Sequence, residues 1–236
     1  GFVNDGTLSG GKFGNALSFD GSDDNVFVDG SLADLSGMSE LTLEAWIYVR
    51  SYPSAALGHG SFGGIVTKWY QSTTKDTYGI WVSGEGGAYK HKLVGGLGPQ
   101  VEHGLWGTTD VSLNTWHYVA LVYDSSAGTA ELYLDGSLEA SITGLSGSLN
   151  SADNPLYMGA DYYGIAATPY VWRFFDGIID EVRISNMAHA ISGSPTSAFI
   201  RKSDTVALWH FDESVGTLAF SDSAISHTGI IDGASW

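Results

Sequence analysis

Apolar and polar residues alternate with period two along much of the chain. In Leu41–Val49 the residues Leu41, Leu43, Ala45, Ile47 and Val49 fall on one face, as a half-buried strand requires. Trp116–Tyr123 and Ala130–Leu134 follow the same rule. Asp135-Gly136 then closes a tight hairpin into Ser137–Ile142, because both turn residues tolerate positive φ. Shorter runs predict strands at Ala16–Phe19, Asn25–Val28, Gly64–Trp69, Tyr78–Val82, Lys90–Val94, Val101–Leu105, Leu156–Gly159, Gly177–Ser185 and Val206–Phe211. Roughly a dozen strands with turn residues between them predict an all-β fold, a two-sheet antiparallel sandwich or jelly roll. One helix is expected, at Pro195–Lys202, since proline suits a first helical turn.

Several stretches are too long for simple hairpins: Arg50–Phe62, Tyr70–Thr77, Gly84–Ala88, Leu145–Pro155 and Ala160–Phe174. Loops of that length are uncommon unless they bind something or are disordered. The last one carries Tyr162, Tyr163, Tyr170 and Trp172, and Trp69 and Tyr70 stand at the mouth of another. Glycine, at 32 of 236 residues, is about twice its usual ~7%, which suits many tight turns. A single domain over residues 1–236 accommodates all of this.

Charge narrows the partners. The net charge is −16, from 26 acidic and 10 basic residues, and nucleic acid requires a cationic surface. Anionic membranes are disfavoured for the same reason. No cysteine is present, so no disulfide supports the fold, and no apolar run approaches the ~20 residues of a membrane span. The seven histidines show no metal-ligand spacing, which argues against zinc.

The two ends of the chain share a phrase. Thr228-Gly-Ile-Ile-Asp-Gly233 echoes Asp5-Gly-Thr-Leu-Ser-Gly10. The expectation is a unit of a longer repetitive protein, or a domain whose first strand has moved to its end, with the termini meeting in space.

An ordered series of six phrases carries a resemblance: Gly11-Lys-Phe-Gly-Asn-Ala-Leu-Ser-Phe-Asp-Gly21, Leu41-Thr-Leu-Glu-Ala-Trp-Ile47, Trp116-His-Tyr-Val-Ala-Leu-Val-Tyr123, Glu131-Leu-Tyr-Leu-Asp-Gly136, Leu156-Tyr-Met-Gly159 and Phe175-Asp-Gly-Ile-Ile-Asp-Glu-Val-Arg-Ile-Ser185. Over residues 10–186 the chain resembles the laminin-G-like branch of the concanavalin A-like lectin/glucanase jelly rolls. Residues 206–236 resemble that family's opening segment, displaced to the C-terminus. The resemblance implies a curved two-sheet sandwich, usually secreted or at the cell surface, often binding calcium and often carbohydrate. For calcium it points to Asp180, beside the opening strand that ends in Asp20. Asp23 and Asp24 in the following turn could complete an oxygen cluster of the kind calcium requires.

Two functions remain open on this reading. The first is a non-catalytic extracellular module for carbohydrate binding or adhesion, taking a polysaccharide or glycan on flat aromatic side chains. Candidates on loops and sheet edges include Trp81, Trp106 and Tyr162, and the set expected to carry binding is Trp69, Tyr70, Tyr163 and Trp172. The second is a structural repeat that pairs with neighbouring copies through strand donation. Catalysis is disfavoured: no strand carries the Glu-x-Asp-x-x-Glu pattern of this fold's retaining glycosidases, and adjacent carboxylates such as Asp180–Glu181 should point to opposite faces of a strand. Trp46, Trp116 and Trp209 read as packing residues. Arg183 reads as a strand cation paired with a carboxylate, with Glu44 as a partly buried partner for such a cation.

Overall fold

The structure, a computed structural model, describes residues 10–29, 33–54, 61–85 and 89–236, with only the backbone of Glu102 and His103. The strands in chain order are β1 (Leu17–Asp20), β2 (Asn25–Val28), β3 (Glu40–Val49), β4 (Phe62–Lys68), β5 (Tyr78–Ser83), β6 (Lys92–Leu97), β7 (Val101–Asp110), β8 (Trp116–Asp124) and β9 (Thr129–Leu134). They continue with β10 (Ser137–Thr143), β11 (Leu156–Met158), β12 (Asp161–Tyr163), β13 (Tyr170–Trp172), β14 (Asp176–Ser185), β15 (Thr205–Trp209), β16 (Leu218–Ala219) and β17 (Gly229–Asp232).

Fifteen of these strands form two large antiparallel sheets, and β12 and β13 pair separately. A seven-stranded sheet runs β1-β14-β3-β8-β9-β10, with β15 also on β14, and an eight-stranded sheet runs β16-β17-β2-β11-β4-β5-β6-β7. The core lies between them. Leu41, Leu43, Ala45, Ile47 and Val49 from β3 meet Ile65, Ile80, Val82 and Leu93 of the facing sheet, and all are fully buried. Period two therefore specified the inward face of β3.

The outward faces of the central strands are also covered, so β3, β4, β5 and β14 are buried on both sides. Over the seven-stranded sheet, Trp46, Tyr118 and Leu208 pack beneath Phe199 with Phe13. Phe199 belongs to the segment expected to be helical. Pro195–Lys202 instead crosses the sheet as irregular chain, fixed by Phe199 N–H to Glu181 (2.5 Å) and by Phe199 packing on Tyr118. Burial of that one ring outweighs a weak local helix preference. Glu44 and Arg183 lie under the same cover as a buried pair at 2.6 Å, and Tyr118 donates to Glu44 at 2.5 Å.

The C-terminal segment is built into both sheets. β15 lies along β14 beyond the end of β1, β17 pairs with β2, and Ser235 exchanges two backbone hydrogen bonds with Ser18 at 2.7 and 3.0 Å. The N-terminal half of the repeated phrase lies outside the described residues, apart from Gly10. Among the described residues no helix is long and apolar enough to cross a membrane.

One local expectation is corrected. Between Asp180 and Arg183, β14 advances three residues while β3 advances two, from Trp46 to Glu44. Glu181 absorbs the extra residue with φ 51°. The bulge breaks alternation. Asp180 accepts from Phe13 N–H and Glu181 from Phe199 N–H, both groups of the same outer cover, so the adjacent carboxylates face one way.

Candidate functional site: an aromatic strip and two carboxylate clusters

The irregular stretch at 160–174 contains a short hairpin. β12 and β13 pair as Asp161↔Trp172, Tyr162↔Val171 and Tyr163↔Tyr170, and the hairpin packs against β4 on the outer side of the eight-stranded sheet. Below it, Trp69 and Trp81 meet edge to face at 5.2 Å. Glycines make the room: a Cβ on Gly79 would collide with the Trp81 ring, and one on Gly96 would crowd Trp69 at 3.0 Å.

Asp161 anchors the hairpin. Its fully buried carboxylate accepts from Arg173 at 3.0 Å, from the Trp81 indole N–H at 3.3 Å, from Gln71 at 3.3 Å and from Tyr162 N–H at 2.8 Å. Burial pushes this carboxyl up, and the guanidinium of Arg173 opposes the shift. Arg173 itself lies over two rings, 4.1 Å from Trp172 and 5.0 Å from Phe62.

From this anchor a line of ring contacts extends in both directions. Tyr163 lies 4.9 Å from Trp172 and 5.3 Å from Tyr170, whose side is 43% exposed. On the other side Phe62 meets Trp106 at 5.8 Å, and Tyr89, 53% exposed, stacks on Trp106 at 4.9 Å. The result is a partly exposed strip, Tyr89–Trp106–Phe62–Arg173–Trp172–Tyr163–Tyr170. A cleft lined by Asp20, Tyr52, Phe62, Arg173 and Asp176 opens beside its middle.

The expected aromatic platform is thus redrawn. Trp69 has no exposure and belongs to the packing beneath the hairpin, so it cannot stack on a ligand. Trp172, at 9%, supports Tyr163 more than it presents a face. Tyr163 is partly exposed. Tyr70 is partly exposed too, but it packs with Tyr162 at 5.7 Å and against Gly164 in a separate group. Tyr170, Tyr89 and Phe62 were outside the expected set, and Trp106 was set aside from it. Alternation at Tyr170-Val-Trp172 was the available signal for a strand showing both rings on one side.

The expected carboxylate cluster divides in two. Asp20, Asp23 and Asp24 come together, with one oxygen or other ligand atom from each within 4.8 Å of the rest. Two of them also serve the local turn: Asp24 accepts from Asp20 N–H at 2.8 Å, and Asp20 from Ser22 N–H at 2.8 Å. Burial raises the Asp24 carboxyl. Asp180 does not join them. It lies beyond the opposite end of β1, because Asp20 pairs with Asp176 and Leu17 with Ile179. Four residues of extended strand, at about 3.3 Å each, separate the two places.

Asp180 nevertheless suits a hard cation. Its Oδ1 is buried with no hydrogen-bond partner among the described residues, while Oδ2 accepts from Phe13 N–H at 3.0 Å. Burial, opposed by that N–H and reinforced by Glu181, pushes the carboxyl up to about 8. A Cβ on Gly11 would strike both Asp180 Oδ2 and the carbonyl oxygen of Asn15, so only glycine lets the chain approach these two oxygens this closely. An ion there would satisfy a buried carboxylate that is otherwise costly.

Comparison with known proteins agrees with this architecture. The family model Laminin G 3, described as the concanavalin A-like lectin/glucanases superfamily, matches residues 20–191. No curated protein matches the sequence. Among solved structures, a candidate carbohydrate-binding protein from Bacteroides ovatus superposes with a TM-score of 0.70 at 20% identity, over 93% of this chain and 58% of that one. This chain thus spans less than two thirds of that protein's length. A heptameric SAP-like pentraxin from Limulus polyphemus gives 0.59 at 15% identity, over 91% and 94%. The CBM40 of a Ruminococcus gnavus IT-sialidase, solved with α2,3-sialyllactose, gives 0.52 at 14% identity, over 73% and 91%. With a family match across residues 20–191 and the two-sheet sandwich in place, the chain belongs to the concanavalin A-like lectin/glucanases superfamily.

Proposed function

We propose that this chain is a non-catalytic glycan-recognition module working outside the cell. The observation that carries the reading is the line of partly exposed rings from Tyr89 to Tyr170, fixed from below by the buried Asp161–Arg173 pair. Sugars offer a flat face of C–H groups to an aromatic ring and hydroxyls at the rim to carboxylates and tyrosine hydroxyls. Asp20 and Asp176, on the adjoining cleft, supply such acceptors. The carbohydrate-binding descriptions of two structural neighbours support the same reading.

Catalysis is disfavoured by what three of the buried carboxylates are already doing. Glu44 holds Arg183 and Tyr118, Glu181 holds His210 and Phe199 N–H, and Asp161 holds Arg173. Each is consumed by structure, which leaves none of them poised as an acid or base in a cleft. Calcium belongs to the proposal at Asp180, as a structural ion distant from the rings. β15 and β17 pair with strands of their own chain, which weakens the case for strand donation to a neighbouring copy.

Affinity should be modest, roughly 10⁻⁵–10⁻³ M, or about 4–7 kcal/mol. Affinity electrophoresis through gels containing plant, algal and bacterial polysaccharides tests the claim, beside assays for reducing ends and unsaturated uronates. Retardation by at least one polysaccharide without turnover is expected. Turnover of any of them contradicts the non-catalytic assignment.

A further inference from the structure

We infer that the aromatic strip selects neutral glycans and turns acidic ones away, an inference that rests on the glycan-binding reading above. The chain has only 10 basic residues against 26 acidic ones, and most of those described around the strip are already engaged. Arg173, the one guanidinium within it, gives Nη1 to Asp161 at 3.0 Å and is 10% exposed. Lys75, 4.6 Å over the neighbouring Tyr70 ring, faces Asp153 at 3.6 Å. Arg50 holds Asp176 at 2.9 Å beside the cleft. Near the Tyr89 end, Lys92 reaches Asp110 and the Thr108 carbonyl, both at 2.7 Å. Lys90 is exposed there, but Asp110 and the Glu85 carboxylate on His91 stand in the same stretch.

Asp20 and Asp23 have no ion pair among the described residues. Asp20 and Asp23 are exposed, they converge with Asp24, and Asp20 lines the cleft that opens beside Phe62 and Arg173. A uronate, sialate or sulfate group on an incoming sugar would lose hydration and would find, among the described residues around the strip, only the exposed Lys90 outside an ion pair, in a stretch that also carries Asp110 and Glu85. It would also meet like charge from these carboxylates, on a molecule of net charge −16. A neutral pyranose meets neither cost, and its hydroxyls can donate to the same carboxylates. Discrimination here comes from repulsion as much as attraction. The inference separates this chain from the similarly folded CBM40 solved with sialyllactose.

The experiment is isothermal titration of the whole chain with matched glycan pairs: lactose and 3′-sialyllactose, arabinoxylan and glucuronoxylan fragments, agarose and carrageenan oligosaccharides. Each is run at about 20 and about 300 mM sodium chloride, which changes the screening length about four-fold. At least one neutral member should bind, its acidic counterpart about ten-fold or more weakly, with the neutral affinity nearly unchanged by salt. An acidic member that binds as tightly as its neutral partner, or tighter and weakening with salt, overturns the selectivity while leaving glycan binding intact. Failure of every member to bind overturns both.

Discussion

Asp161 and Arg173 meet at 3.0 Å in the floor of the aromatic hairpin, the carboxylate with no exposure and the guanidinium with 10%. The pair joins β12 to the residue that follows β13, so the geometry of Tyr163 and Tyr170 depends on it. Breaking a buried pair from one side leaves an uncompensated charge. Arg173→Ala should therefore cost about 3 kcal/mol of unfolding free energy, and Asp161→Asn less, about 1–2 kcal/mol, because an amide oxygen at the Oδ2 position can still accept from Arg173 and Trp81, while Tyr162 N–H loses its acceptor. Urea unfolding of the two variants checks the order. An Arg173→Ala protein as stable as the parent would show that the hairpin rests on something else.

Trp69 and Tyr170 should respond oppositely to truncation. Trp69→Ala empties a buried site under the hairpin and should destabilise by about 3–5 kcal/mol. Tyr170→Ala removes a ring that is 43% exposed and should stay within about 0.5 kcal/mol. Denaturation of both variants under one set of conditions provides the comparison.

Asp76 gives the fold a pH dependence. It accepts from Tyr70 and Ser72 N–H at 2.8 and 3.0 Å while 1% exposed, and burial pushes its carboxyl up to about 6. A carboxyl raised above its unfolded value favours the fold when protonated. That contribution is complete below an unfolded pKa of about 3.9 and is lost as pH rises through about 6. Asp76→Asn keeps an acceptor for the two N–H groups without the charge. Relative to the parent it should gain on the order of 1 kcal/mol above pH 7 and nothing near pH 4. Paired urea melts across that range measure the difference, and a constant offset would contradict the assignment.

Calcium at Asp180 should stabilise the chain. For an ion held at ~10⁻⁴–10⁻³ M, about 1 mM calcium contributes about 0.4–1.4 kcal/mol, a shift of roughly 1–5 degrees in Tm against chelator. Asp180→Asn should abolish the shift, and Asp20→Asn, in the exposed cluster, should preserve it. Identical parent melts with calcium and with chelator would remove the ion from the account.

Local pattern carried much of the fold and little of the site. Period two in β3, β8 and β9 placed the inward residues, and Asp135-Gly136 marked its hairpin. The Arg183–Glu44 pair also follows from two strand residues of opposite charge meeting across β14 and β3. What sequence could not supply was the covering of the outer faces. Trp69 has the composition of a platform residue, and only the β12–β13 hairpin above it, with glycines below, makes it packing. The family resemblance placed Asp180 beside the strand that ends in Asp20, yet their places in register put them at opposite ends of it. The Glu181 bulge likewise reverses a face assignment that strict alternation had made.

The most direct test of the central claim is titration of the tightest-binding neutral glycan into the parent, Tyr163→Ala and Tyr170→Ala proteins, with Tm recorded for each. Stacking on one aromatic face contributes ~1–3 kcal/mol for nucleobases, and a sugar face should be of similar order. The account predicts a loss of about ten-fold or more in affinity for each variant, with Tm nearly unchanged for Tyr170→Ala. Full affinity in both variants would contradict the aromatic strip as the glycan site.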